Sequence, residues 1–122
     1  MQGLRPFFTS IILACAVSGG AFAQSVTDGP GAELRVLDKL TGDVIDMSLR
    51  IGETGKLGFL LVTLNACRYP TDNPAGDAYA ELMVRYREDA PVFSGWMLAA
   101  APALNAMDHP RYDVWPLRCM TS

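Results

Sequence analysis

From Val44 to Ile51 the chain alternates with a period of two. Ile45, Met47, Leu49 and Ile51 fall on one side, and Asp46, Ser48 and Arg50 on the other. An extended strand, whose successive side chains point to opposite faces, sorts these residues into an apolar and a polar face; a helix would mix them. The pattern recurs along the chain. Ala32 to Leu37 places Leu34 and Val36 on one face. Asp77 to Glu88 puts Ala80, Leu82, Val84 and Tyr86 on one parity and Tyr79, Glu81, Met83, Arg85 and Arg87 on the other. Lys56 to Cys67 carries the apolar run Leu57 to Val62, which suits a buried central strand. Val92 to Ala99 is apolar with Gly95 inside it, and Tyr112 to Cys119 is a last strand interrupted by Pro116.

The segments between these runs are turns and loops. Asp38-Lys39-Leu40-Thr41-Gly42 reads as a hairpin turn in which Asp38 accepts backbone N–H groups and Gly42 takes positive φ. Gly52-Glu53-Thr54-Gly55 reads as a second turn, and Arg68 to Gly76 as an exposed loop. Pro102 to Met107 is expected to start a short helix that Asp108-His109-Pro110 ends. The expected fold is all-β: a small antiparallel β-sandwich or open barrel of six to seven short strands with at most one short helix. It forms one domain over residues 32–122, preceded by a polar, flexible arm at residues 24–31.

Residues 1–23 read as an address. Arg5 supplies the positive n-region, Phe7 to Val17 an h-region of about 11 residues, and Ala21-Phe22-Ala23 an A-x-A cleavage site, so cleavage is expected between Ala23 and Gln24. The apolar run is shorter than the roughly 20 residues that span a bilayer, and no second such run follows. The mature chain is therefore expected in the periplasm without a transmembrane helix. Ile12-Leu13-Ala14-Cys15 resembles a lipobox. Apolar residues continue past Cys15 and the A-x-A site lies downstream, so Cys15 reads as part of the h-region rather than a lipid anchor.

Cleavage leaves Cys67 and Cys119. Two cysteines in an exported chain are most simply a disulfide. The alternatives are a redox pair, for which there is no C-x-x-C, and a metal pair, for which His109 is the single imidazole. No metal and no cofactor is expected. A net charge of −3, one unit more negative without Arg5, argues against nucleic acid as a partner. With 50% apolar and 19% charged residues, the chain has enough apolar surface to fold, unlike a disordered chain.

One cluster carries chemistry. Asp108, His109, Tyr112 and Asp113 place two carboxylates, an imidazole and a phenol close together in sequence. His109 could act as general acid or base, oriented by Asp108 or Asp113. No nucleophile motif accompanies it, since Ser94 sits in Ser-Gly-Trp rather than G-x-S-x-G. A structural role explains the cluster as well: Asp108 ends a turn, His109 hydrogen-bonds locally, and Tyr112 and Trp115 cover the core. An exposed fraction of Trp96, Tyr112 and Trp115, flanked by Arg111 and Arg118, would anchor a protein partner, because such residues dominate interface hot spots. A phosphatase-like reading of Asp38 lacks Mg²⁺ ligands and an α/β scaffold.

Phe93-Ser94-Gly95-Trp96-Met97, then Pro102 to Pro110, Tyr112-Asp113-Val114-Trp115 and Cys119 form a long and unusual string. With Asp38-Lys39-Leu40-Thr41-Gly42 and Ala66-Cys67 upstream, it resembles the domain of unknown function family 2155, small exported proteins of alphaproteobacteria. The resemblance runs from about Ala32 to Cys119. It departs at Ala101, where the family usually has Ser, and at Leu98, where it often has an aromatic residue. It implies export and a Cys67–Cys119 pairing, and it brings no activity. Family genes often neighbour a gene for an accessory subunit of proton-pumping NADH:quinone oxidoreductase. That implies a protein partner at the periplasmic face of an inner-membrane complex. The leading expectation is thus a non-enzymatic accessory or protein-binding β-domain. The other readings are a small envelope hydrolase using Asp108, His109 and Asp113, and a ligand-binding module with an aromatic platform.

Overall fold

The structure is a computed structural model and describes Gly3 and residues 25–121. Cys15 and the Ala23–Gln24 junction lie outside the described residues. The described residues form β1 (Val26–Asp28), β2 (Gly31–Asp38), β3 (Val44–Arg50), β4 (Thr54–Leu57), β5 (Leu60–Pro70), β6 (Tyr79–Tyr86), β7 (Pro91–Leu98) and β8 (Tyr112–Cys119), with a 3-10 turn at Pro102–Leu104. Every strand pair is antiparallel. One sheet runs β5-β6-β7, with β4 and β1 lying end to end along the other side of β5: β4 opposite Leu60–Thr63, β1 opposite Arg68–Pro70. The second sheet runs β3-β2-β8. The architecture is an open two-sheet sandwich, not a closed barrel.

The core lies between the sheets. Ala32, Leu34 and Val36 of β2 face Leu60, Val62 and Leu64 of β5 and Ala80, Leu82 and Val84 of β6, with Tyr112 and Val114 of β8 completing the layer. Burying a Leu or Val side chain of this kind contributes about 1.5–3 kcal/mol.

Two β-bulges shape this core. Along β5, Leu60, Val62 and Leu64 point inward; the pairing with β6 then skips Asn65, and Cys67 and Tyr69 point inward instead. Along β8, Tyr112, Val114 and Pro116 point inward; the pairing with β2 skips Leu117, and Cys119 points inward. An extra residue moves every later side chain to the opposite face. Both cysteines therefore enter the core, and the Cys67–Cys119 disulfide joins the two sheets with Cα atoms 5.8 Å apart. Closing a loop of 52 residues removes on the order of 4 kcal/mol of unfolded-state entropy in the chain-entropy model.

The sequence reading differs from the structure at several places, among them the expected turn Gly52-Glu53-Thr54-Gly55, whose last two residues begin β4. The polar arm is partly a strand, β1: its backbone pairs with Arg68–Pro70, and Gly29 N–H donates to Cys67 O. An edge strand of three residues satisfies its backbone without an apolar face, so it leaves no periodicity to read. The same pairing extends β5 to Pro70, into the expected loop. The run Lys56 to Cys67 is two strands rather than one, so the strands among the described residues number eight. The chain reverses at Gly58–Phe59 between paired Leu57 and Leu60, with Gly58 at φ +58°. Such a two-residue hairpin loop needs positive φ, which glycine adopts freely. The expected helix after Pro102 is a single 3-10 turn, and Met107 beyond it is buried in the core.

Gly58 also makes room for the core. A Cβ there would lie 2.5 Å from Tyr112 Oη, and this hydroxyl accepts a hydrogen bond from Phe59 N–H at 3.3 Å. Gly58→Ala is expected to cost about 2–3 kcal/mol in urea unfolding, combining the positive-φ penalty with displacement of the phenol. Replacing both Cys67 and Cys119 by Ala is expected to lower stability by about 2–5 kcal/mol in the same measurement. Loss of less than about 1 kcal/mol would show that the sandwich closes without its covalent link.

Candidate functional site

One end of the sandwich brings Asp38, Arg111, His109 and Tyr112 together. Asp38, the last residue of β2, pairs with Tyr112, the first of β8, so Arg111 and the turn after Asp38 become neighbours. Asp38 is buried. Its carboxylate accepts Nε–H and Nη2–H of Arg111 at 3.2 and 3.0 Å and the backbone N–H groups of Leu40 and Thr41 at 3.0 and 3.3 Å. The Arg111 hydrogen bonds, with the two backbone donors behind them, outweigh desolvation and lower the Asp38 pKa to about 2. The same bonds raise that of Arg111. The expected turn is present, with Gly42 at φ +80° donating its N–H to Asp38 O. The ion pair with Arg111 left no mark in the sequence, because strand pairing, not spacing, brings these residues together.

His109 is built into the same joint. Its Nδ1 accepts the backbone N–H groups of Arg111 and Tyr112 at 3.1 and 3.2 Å. Two N–H donors on Nδ1 place the proton of the neutral imidazole on Nε2. Lys39 Nζ donates to His109 O at 2.9 Å. The imidazole lies 5.0 Å from the Tyr86 ring and 5.8 Å from that of Tyr112, which is fully buried. Phe59 packs edge-on against Tyr86 at 6.2 Å, and the Arg87 guanidinium stands 4.6 Å from the Phe59 ring.

The structure does not bring Asp108 or Asp113 to His109. Asp108 is exposed, with no side-chain hydrogen bond or ion pair among the described residues. Asp113 accepts the N–H of Val114 at 3.0 Å. Together with Trp115, Pro102, Ala103 and Ala106 it lines a separate apolar groove of about 330 Å³. His109 and Tyr112 thus meet each other, while neither carboxylate bonds the imidazole.

The aromatic residues are divided as well. Trp96, between inward Gly95 and Met97 and opposite Glu81, stands on the outer face of the β5-β6-β7 sheet. Trp115, between inward Val114 and Pro116 and opposite Arg35, stands on the outer face of the other sheet. Tyr112 lies between them in the core. Around Trp96, Val26, Tyr79, Leu98 and Arg68 line an apolar depression of about 300 Å³. The Arg68 guanidinium stands 5.0 Å from the Trp96 ring, and its Nε–H bonds Asp28 Oδ1 at 3.0 Å. Val26, Arg68 and Tyr79 were not singled out by sequence; β1, β5 and β6 assemble them. Arg118 pairs with Glu33 on the other sheet, and Arg111 with Asp38.

Fold and site together define a small disulfide-linked β-sandwich whose histidine bonds the backbone and whose two tryptophans stand on the outer faces of opposite sheets. The profile of the family described as "Uncharacterized protein conserved in bacteria (DUF2155)" matches residues 32–119, from β2 to the last cysteine. The chain belongs to this family. It is 26% identical over 87 residues to Uncharacterized protein RP359 of Rickettsia prowazekii (strain Madrid E), covering 68% of this chain and 56% of that protein. It thus spans little more than half of that relative's length. No solved structure matches the chain.

The Asp38–Arg111 joint has an acid signature. Because the folded pKa of about 2 lies below the ordinary 3.8, the unfolded state binds more protons between these values. The contribution is complete above about pH 5 and is lost as pH falls through the folded value. In Asp38→Asn the stability of the sandwich is expected to be lower at neutral pH and to fall less steeply between about pH 5 and pH 2, measured by urea unfolding. An acid limb as steep as that of the unaltered chain would remove Asp38 as its source.

Proposed function

We propose that this chain is an exported, non-enzymatic periplasmic β-domain that binds a protein partner at the periplasmic face of an inner-membrane complex. The depression around Trp96 carries this reading: an open sheet face presents Trp96, Tyr79, Leu98 and Val26 around one arginine. Such a cluster is the usual composition of an interface hot spot, where a Trp truncation costs 2 kcal/mol or more. The engagement of His109 and Asp38 within the fold supports a binding rather than a catalytic role. His109 Nδ1 is occupied by two backbone donors, and Asp38 by Arg111 and two more. Export is supported by the n-region, h-region and A-x-A pattern of residues 1–23 and by a disulfide, which persists in oxidising compartments. The family resemblance makes proton-pumping NADH:quinone oxidoreductase the first complex to test.

The test is capture of the tagged full-length chain from crosslinked, detergent-solubilised membranes, read by quantitative mass spectrometry. Subunits of one inner-membrane complex are expected to be enriched. Trp96→Ala is expected to reduce that enrichment by about 30-fold or more, with an unchanged circular dichroism spectrum. Trp115→Ala, on the opposite sheet, is expected to leave it intact. Equal capture by the Trp96→Ala chain, or no enrichment with the unaltered chain, would sink the proposal.

A further inference from the structure

An open sandwich has sheet edges, and an edge strand offers unpaired backbone groups to any other strand unless something guards it. The edges here are guarded unequally. In the five-stranded sheet, β1 and β4 are only three and four residues long. On its other side, β7 begins at Pro91 and bulges at Val92, where its register against β6 shifts. In the second sheet, β8 is broken by Pro116 and by the bulge at Leu117. The remaining edge, β3, has seven residues, no proline, no glycine, and an unshifted register against β2 from Val44 to Arg50. Exposed apolar side chains flank it at both ends, Val44 at 54% and Ile51 at 43%. The Ile51 N–H still bonds Pro30 O, so the ladder continues to that residue.

The side chains along β3 match a second copy of the same strand. Antiparallel pairing of two identical strands is fixed by the residue on the two-fold axis. With Asp46 or Arg50 on the axis, like charges meet; with Met47, Asp46 meets Ser48 and no charges pair. With Ser48 on the axis, Asp46 of each copy lies opposite Arg50 of the other. Met47 then lies opposite Leu49, and exposed Ile51 opposite Ile45. Opposite charges directly across a strand pair stabilise it and like charges oppose it, so the sequence selects one register. Asp46 is already held by Arg35 Nε at 2.8 Å, while Arg50 has no ion pair among the described residues. The second copy therefore supplies Arg50 with its missing carboxylate and extends a charged row across both sheets.

We infer that β3 is a self-association edge, through which two copies of this chain join their three-stranded sheets into one six-stranded sheet, antiparallel about Ser48. The contact is isologous and closes as a dimer. It leaves the Trp96 face, on the other sheet, free in both copies.

The experiment measures molar mass by light scattering and sedimentation, using the chain expressed from its full sequence. The unaltered chain is expected to dimerise, more weakly as salt is raised. Asp46→Arg alone and Arg50→Asp alone each convert both attractive pairs to repulsive ones, and each is expected to weaken the dimer by roughly 10-fold or more. A one-to-one mixture of the two single variants restores both opposite-charge pairs and is expected to dimerise. Ser48→Cys keeps the test informative if a charge variant folds poorly. Its thiols meet across the axis within disulfide reach and are expected to give a covalent dimer on oxidation, while the control Ser94→Cys on the other sheet does not. A monomeric unaltered chain would overturn the inference. So would a dimer indifferent to both charge reversals, or Ser48→Cys chains that crosslink no faster than the control.

Discussion

Two unpaired residues, Asn65 and Leu117, organise this molecule. Each is the extra residue of a β-bulge, and each turns the following half-strand over. Without the first, Cys67 would face solvent on one sheet; without the second, Cys119 would do so on the other. The side-chain period of a strand is two, so these insertions are the simplest way to keep Leu60, Val62 and Leu64 inside and still aim Cys67 inward. The covalent bond that follows ties β5 to β8, which share no backbone ladder. A domain of this size buries a modest fraction of its surface, so a cross-sheet tie contributes a large share of its stability.

The far end of β8 is joined by charge rather than by sulfur. Asp38, Arg111 and His109 hold the start of β8 to the turn after β2, through the guanidinium, two backbone donors on the carboxylate and two on the imidazole. β8 is thus held at both ends, by an ion pair near Tyr112 and by the disulfide at Cys119. Of the groups that, read in sequence, suggested acid–base chemistry, these joints occupy His109, while Asp108 and Asp113 lie outside them. The Nδ1 of His109 accepts two backbone N–H groups and so holds the loop that leads into β8. The Asp38 carboxylate receives four donors, three of them on Oδ1.

Much of the fold was legible because it rests on local periodicity. Tyr112–Cys119 coincides with its expected strand, and the expected segments at Val44 and Val92 match β3 and β7 within about a residue at either end. Pro116 interrupts β8 as expected, on an edge of its sheet and next to the bulge at Leu117. β1 was not legible, because a three-residue polar strand has no face to show. The β4–β5 reversal was hidden because Gly58 and Phe59 sit inside a continuous apolar run, where a hairpin and a single strand look alike. The site was less legible than the fold. Asp108, His109, Tyr112 and Asp113 are close in sequence, but Pro110 and the start of an extended strand send neighbours to opposite sides. Arg111 faces Asp38, Tyr112 the core, and Asp113 a groove on the sheet edge.

The sequence by itself determined the all-β class, the inward residues of each unbroken strand, the hairpin turn at Asp38 to Gly42 and the cysteines available for pairing. Each depends on interactions spanning a few residues or on simple inventory. Only the tertiary structure decided that Asp38 meets Arg111 and that Trp96 and Trp115 stand on opposite sheets. It also decided that Val26, Arg68 and Tyr79 surround the first of them, and that β3 is the edge left unguarded. Those facts depend on which strands pair and where their register slips. A single bulge changes the answer for every residue beyond it while leaving the alternating pattern on either side intact.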